Sequence, residues 1–236
     1  MRFLAGLLAF ATALLPGMAM TQAVPTTSGP TAPASPTDPQ NILLLDLSTG
    51  GRVTIWLRPD VAPKMVERVR TLTREHFYDG LLFHRVIDGF MAQGGDPKGD
   101  GTGGSKLPDV PAEFNNLPHV RGAVSAARAE SENSANSQFF IVFQPKLSLD
   151  RKYTVFGRVI EGMQYVDAIE RGEPPANPSR IVHAYIQADN PPAFQPAPPA
   201  AALPTTPALL PTGSAVAAPK LAPARRAPAR KPARKR

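Results

Sequence analysis

The residues best suited to chemistry lie between Phe83 and Gly104, where the chain reads FHRVIDGFMAQGGDPKGDGTGG. Arg85 is a permanently charged donor placed directly after two rings, Phe83 and His84. Phe90, Met91 and Gln93 follow, and then a run of glycines. Ser137-Gln138-Phe139-Phe140-Ile141 adds a second amide and two more rings, and Tyr153-Thr154-Val155-Phe156-Gly157 adds another pair. Large apolar groups, amides and a guanidinium beside glycine-rich backbone suit a shaped surface pocket better than a plain core strand.

Other chemistries lack their residues. The four histidines, His76, His84, His119 and His183, form no H-E-x-x-H and no i,i+4 pair, so no metal site is expected. His84 reads as a core or pocket-wall histidine. There is no G-x-S-x-G, and no Ser/His/Asp set stands at recognisable spacing, so nucleophilic catalysis has no support. Gly99-Asp100-Gly101-Thr102-Gly103-Gly104 fits G-x-G-x-x-G, but Pro108 and Pro111 stand where a dinucleotide fold needs a helix. Asp96 to Leu107 grazes a calcium loop, with Lys98 and Leu107 at ligand positions. No cofactor is expected, and the glycine run reads as one side of a groove.

At FHRVIDGFMAQGGD and NSQFFI the sequence resembles the cyclophilin family of peptidyl-prolyl cis/trans isomerases, over roughly Asn41 to Asp189. The resemblance implies that Arg85 is the catalytic arginine. It implies a proline pocket of Phe90, Met91, Phe140 and Leu149. It places Gln93 and Gln138 on the peptide backbone, with main chain at Ala127 and Arg128, and Asn136 beside the groove. Two positions depart from the commonest pattern: Tyr153 stands where many members have His, and Ser148 where many have Trp. The first is compatible with bacterial-type members, and the second leaves one side of the pocket smaller or wetter.

The implied chemistry is non-covalent. Amide resonance sets a barrier of about 18–20 kcal/mol to rotation about an X–Pro bond. The twisted transition state loses that resonance, its carbonyl becomes less polar, and its nitrogen regains a lone pair. An apolar pocket disfavours the planar amide, and a fixed donor such as Arg85 can bond the nitrogen.

Several elements must position these residues. Ile42–Leu47 and Arg52–Arg58 read as strands joined by a turn at Ser48-Thr49-Gly50-Gly51. Pro63 opens a helix in which Met65, Val66, Val69 and Leu72 share one face. Leu81–Val86, Phe90–Gln93, Gly122–Ala127, Ser137–Phe143, Tyr153–Val159 and Arg180–Gln187 are further strands, and Gly162–Arg171 a second helix. Short strands with two isolated helices suggest an antiparallel barrel with helical caps. The resemblance implies the fuller form: a mainly β protein with a closed antiparallel barrel of about eight strands, capped by two α-helices.

Composition divides the chain. Of 28 prolines, residues 191–236 hold 12 and residues 24–40 hold 5, which leaves residues 41–190 as the foldable domain. Met1 to Ala23 reads as a secretory signal peptide, with Arg2 followed by an apolar run from Phe3 to Leu15. That run is short against the roughly 20 apolar residues of a membrane span. Residues 24–40 read as a Pro/Thr/Ser linker, and residues 191–236 as a disordered Pro/Ala-rich tail. The tail holds 8 Lys and Arg and no acid; without them the net charge of +7 becomes −1, so the basicity belongs to the tail. Cysteine is absent, which fits an oxidising compartment. The expectation is an exported, periplasmic or secreted monomer that isomerises proline-containing peptides and unfolded clients. Its tail is either solvated or attached to an anionic envelope surface. A proline-peptide scaffold with weak catalysis is the alternative, and the leader argues against a nucleic-acid partner.

Overall fold

The computed structural model describes residues 34–196. The segments expected to be a signal peptide, most of the expected linker and the expected tail beyond Pro196 lie outside the described residues. Eight strands form one antiparallel sheet: β1 (Ile42–Leu47), β2 (Gly51–Leu57), β3 (Arg85–Ile87), β4 (Met91–Gly94), β5 (Ala123–Ala126), β6 (Phe139–Val142), β7 (Val155–Glu161) and β8 (Ile181–Ile186). Their order across the sheet is β3-β4-β6-β5-β7-β2-β1-β8. Two helices accompany them, α1 (Pro63–Arg74) and α2 (Met163–Asp167).

The expected closed barrel is corrected. The sheet has two ends, β3 and β8, and no ladder joins them. The strand expected at Leu81–Val86 begins only at Arg85, and Leu82 makes a single bridge to Arg180. Backbone bonds of irregular chain span the seam instead, from Phe83 N–H to the Ser179 carbonyl and from Ile181 N–H to the Leu81 carbonyl, both at 2.9 Å. The result is an open half-barrel. The second helix is also shorter than Gly162–Arg171. After Asp167 the chain tightens to a three-residue bond, Ile169 N–H to the Val166 carbonyl, which still delivers Ile169 to the core.

Alternation along the strands explains the core. Val53, Ile55 and Leu57 of β2 are fully buried, while Arg52, Thr54 and Trp56 are partly exposed. The inner cluster joins these to Leu43, Leu45, Phe83, Phe139, Ile141, Phe156 and Ile181, and to Met65, Val66, Val69 and Leu72 of α1. Helix α1 has Pro63 in its first turn and no side-chain cap of its own. Glu113, from the proline-rich loop after the glycine run, fills that role. Its carboxylate accepts the N–H groups of Lys64 and Met65 at 3.0 and 2.9 Å.

Both boundary segments lie against the domain. Gln40 accepts from Arg74 at 3.1 Å, and the same guanidinium pairs with Asp189 at 3.0 and 3.2 Å. Beyond the last strand, the Pro192 carbonyl accepts from Arg52 at 3.0 Å. Replacing Ile55 by alanine leaves a hole in the inner cluster and is expected to cost about 2–5 kcal/mol, read as a lowered urea midpoint with an unchanged slope.

Candidate active site

Register builds the site across four strands. Arg85 of β3 faces Gln93 of β4, Gln93 faces Phe140 of β6, and Phe140 faces Ser125 of β5. Directly opposed residues share a face of the sheet, so these four form one row. That face is the outer one. Along β6, Phe139 and Ile141 point into the inner cluster, while Phe140 and Val142 join Met91, Ala123, Ala127 and Val155 in a second cluster. Phe90, Leu117, Leu149 and Tyr153 partly cover it.

A cavity of about 350 Å³ remains above Phe140. Of the residues assigned from the sequence, all but Gln138 and Asn136 line it: Arg85, Phe90, Met91, Gln93, Ala127, Arg128, Phe140, Leu149 and Tyr153, joined by Lys146. Gln138 lies in an adjoining groove of about 370 Å³ with Gly101 to Gly104, Asp109 and Asn136, and Gln93, Ala127 and Arg128 line both spaces. The rings meet edge to face: Phe140 and Tyr153 have centroids 5.9 Å apart at 82°. Ser148 is exposed, on the short 3-10 helix that brings Leu149 to the cavity.

The guanidinium of Arg85 is held at both ends. Its Nε donates to Glu173 Oε2 at 2.8 Å, and one terminal nitrogen reaches Gln93 Oε1 at 3.5 Å. Gln93 Nε2 donates to Gln138 Oε1 at 2.9 Å, and Gln138 Nε2 donates to the carbonyls of Gly101 and Gly103 at 3.0 and 2.7 Å. A chain of polar groups thus crosses the whole site. Glu173 was not visible in the sequence, because it arrives on the loop before β8 with no motif around it.

The glycine run is a loop hung on Asp96. This buried carboxylate accepts the N–H groups of Lys98, Asp100 and Gly101 at 2.8, 3.2 and 2.6 Å. Burial pushes its pKa up, but the amides of Lys98, Gly101 and Gly103 together hold it below the ordinary carboxylate range. Gly95, at φ +83°, starts the loop, and any Cβ there would run into the Ser137 carbonyl. His84 is buried under the loop, and burial lowers its pKa against an upward pull from Asp96.

A Ser/His/Asp set does come together in space, at a spacing that no sequence pattern covers. His119 Nδ1 is 2.9 Å from Asp150 Oδ1, and its Nε2 is 3.1 Å from Ser125 Oγ. Positions 119, 125 and 150 match no known spacing, so only the fold reveals them. The set is still no nucleophile. Ser125 and His119 are completely buried, and the serine bonds the Thr154 carbonyl at 3.0 Å. The imidazole instead supports the cavity floor, stacked on Phe140 at 6.1 Å and 17°. No group of acids and histidines among the described residues has the arrangement of a metal site.

Residues 44–186 match the family model for cyclophilin type peptidyl-prolyl cis-trans isomerase/CLD. A probable peptidyl-prolyl cis-trans isomerase of Brucella suis is 48% identical over 172 residues, spanning 66% of this chain and 87% of that one. Peptidyl-prolyl cis-trans isomerase B of Bacillus subtilis is 41% identical, over 54% of this chain and 89% of the relative. Among solved structures, a cyclophilin from Hirschia baltica superposes with a TM-score of 0.60 at 31% identity, covering 64% of this chain and 76% of that one. A cyclophilin type isomerase from Cryptosporidium parvum, crystallised in the presence of the dipeptide Ala-Pro, superposes at 0.58 with 27% identity, covering 61% and 98%.

The Asp96 anchor gives a pH dependence of known sign. A carboxyl with a lowered folded pKa stabilises above its unfolded value, about 3.9, and loses that stabilisation as pH falls through the folded value. Unfolding free energy should therefore fall for the native chain as pH is stepped down from about 5. Asp96→Asn should start less stable near neutrality and show a flatter acid limb.

Proposed function

The chain belongs to the cyclophilin family of peptidyl-prolyl cis-trans isomerases, and we propose that it accelerates X–Pro rotation in exported clients through Arg85 and the apolar cavity above Phe140. In this reading the proline ring occupies the cavity, with Met91 and Phe140 beneath it and Phe90, Leu149 and Tyr153 at its sides. Gln93, Gln138 and main chain at Ala127 and Arg128 hold the flanking peptide. Arg85 donates to the prolyl nitrogen as the amide twists. The observation that carries the reading is the placement of Arg85: it borders an apolar cavity while Glu173 and Gln93 fix the direction of its guanidinium.

Magnitudes divide the work. An acceleration on the order of 10⁵-fold needs about 7 kcal/mol from the barrier. One charged hydrogen bond supplies about 1.5–3 kcal/mol. The remainder comes from holding the flanks in a geometry nearer the twisted state than the planar one. The amide chain from Gln93 to the glycine loop suits that task, because its groups are already oriented by one another.

Export and surface attachment rest on sequence alone. The leader at residues 1–23 supports delivery to the periplasm or beyond, and the 8 cations of the tail support attachment to an anionic envelope surface. Near such a surface each cation contributes about 1 kcal/mol, and salt screens it. A chain ending at Pro196 should lose low-salt retention on anionic vesicles while turning over a short peptide at the full rate. Equal retention of both forms across a salt series would remove the tether.

Arg85→Ala tests the catalytic assignment. The variant should lose at least tenfold in kcat/KM, or about 1.4 kcal/mol. Its melting temperature should barely change, because the Arg85–Glu173 pair is half-exposed and such pairs add little to stability. An active variant, or a globally unfolded one, would reject the role. The scaffold alternative makes the opposite claim, that the unaltered protein binds proline peptides with little turnover.

A further inference from the structure

We propose that this enzyme favours prolyl segments carrying a carboxylate next to the proline, and that Arg128 and Lys146 set the preference. The proposal rests on the isomerase reading of the cavity and adds the charge of its substrate. Among the described residues, three cationic ones line the cavity above Phe140, namely Arg85, Arg128 and Lys146, and no carboxylate does. Arg85 is already matched by Glu173. Arg128 and Lys146 make no ion pair among the described residues.

Arg128 is fixed without being neutralised. One terminal nitrogen donates to the carbonyls of Ala129 and Glu130, both at 3.0 Å, and the other to the Lys152 carbonyl at 3.2 Å. Its guanidinium carbon lies 4.6 Å from the centre of the Tyr153 ring. Neutral carbonyls and a ring hold the group in place but leave its full charge to act on whatever enters. A guanidinium immobilised beforehand loses little further freedom when a carboxylate arrives. The Lys146 ammonium stands 5.7 Å from the Phe90 ring, on the same cavity.

Position limits the effect to the neighbours of proline. Arg128 borders the proline cavity, the groove along the glycine loop, and a third space above His84, so it stands where a bound peptide leaves the cavity. Farther out the lining carries acids: Asp109 in the groove, Asp100 and Glu173 in the third space. A carboxylate beside the proline meets unmatched cations, and a lysine there is repelled. The groups are partly solvated, so the preference is moderate and salt-sensitive.

The test uses the full chain and peptides that differ only in Glu, Ala or Lys immediately before the proline, with a second set varied immediately after it. At low ionic strength kcat/KM for Glu should exceed that for Lys by about fivefold in at least one set, and the ratio should fall toward one in roughly 0.5 M salt. Arg128→Gln or Lys146→Gln should at least halve the ratio, with the Ala peptide as reference in each protein. If Arg128→Gln does not fold, Lys146→Gln and the salt series on the unaltered chain decide. Equal turnover of Glu and Lys peptides in both sets overturns the proposal, as does a preference unchanged by salt and by the variants. Absence of turnover on all three peptides would overturn the isomerase reading, and this proposal with it.

Discussion

The two-sided burial of β6 is the constraint on which the rest depends. Successive side chains of a strand must point to opposite faces, and β6 is apolar at every position. Phe139 and Ile141 fill the half-barrel, so Phe140 and Val142 must be covered from outside. The loops that cover them do so incompletely, and the uncovered part is the cavity. Its floor is therefore continuous with the core. Phe140 cannot shift without disturbing strands packed on their other side at interior density. The buried His119, tied to Asp150 and Ser125, stiffens the same ring from below.

The polar half of the site obeys a different logic. Its groups sit on loops, where backbone alone gives little rigidity, and they are held by one another. Asp96 gathers the amides of the glycine run, which turns its carbonyls toward Gln138. Gln138 orients Gln93, Gln93 meets Arg85, and Glu173 closes the row from the loop before β8. Each amide donates on one side and accepts on the other, so donation runs in one direction from Arg85 through Gln93 and Gln138 to the glycine carbonyls, while Arg85 donates outward to Glu173 as well.

Local pattern made much of this legible. Pro63 and the spacing of Met65, Val66, Val69 and Leu72 announced α1, and the alternation of Val53, Ile55 and Leu57 announced β2. The residues from Phe83 to Gln93 and from Ser137 to Phe140 carried enough specific information to gather most of the cavity lining. What stayed hidden depends on contacts between distant segments. Glu173 meets Arg85, and Glu113 caps α1, only because loops converge. The open seam could not be read because closure would have needed β3 to pair with β8, and nothing in Leu81 to His84 signals that this stretch is irregular. Alternation says which residues share a face; it does not say whether the last strand finds the first.

The clamp of Arg74 on Gln40 and Asp189 has a further consequence. The two ends of the domain meet at one corner, where one side chain bonds both. The fold is therefore close to a loop in its connectivity, and its strand order does not require the chain to be cut where it is. A short covalent bridge between the flanks of Gln40 and Asp189 would make the domain cyclic, and new ends could then be opened in an exposed turn such as Ser48–Gly50. The same geometry lets the domain be spliced into a surface loop of another protein as an insert that enters and leaves at one point.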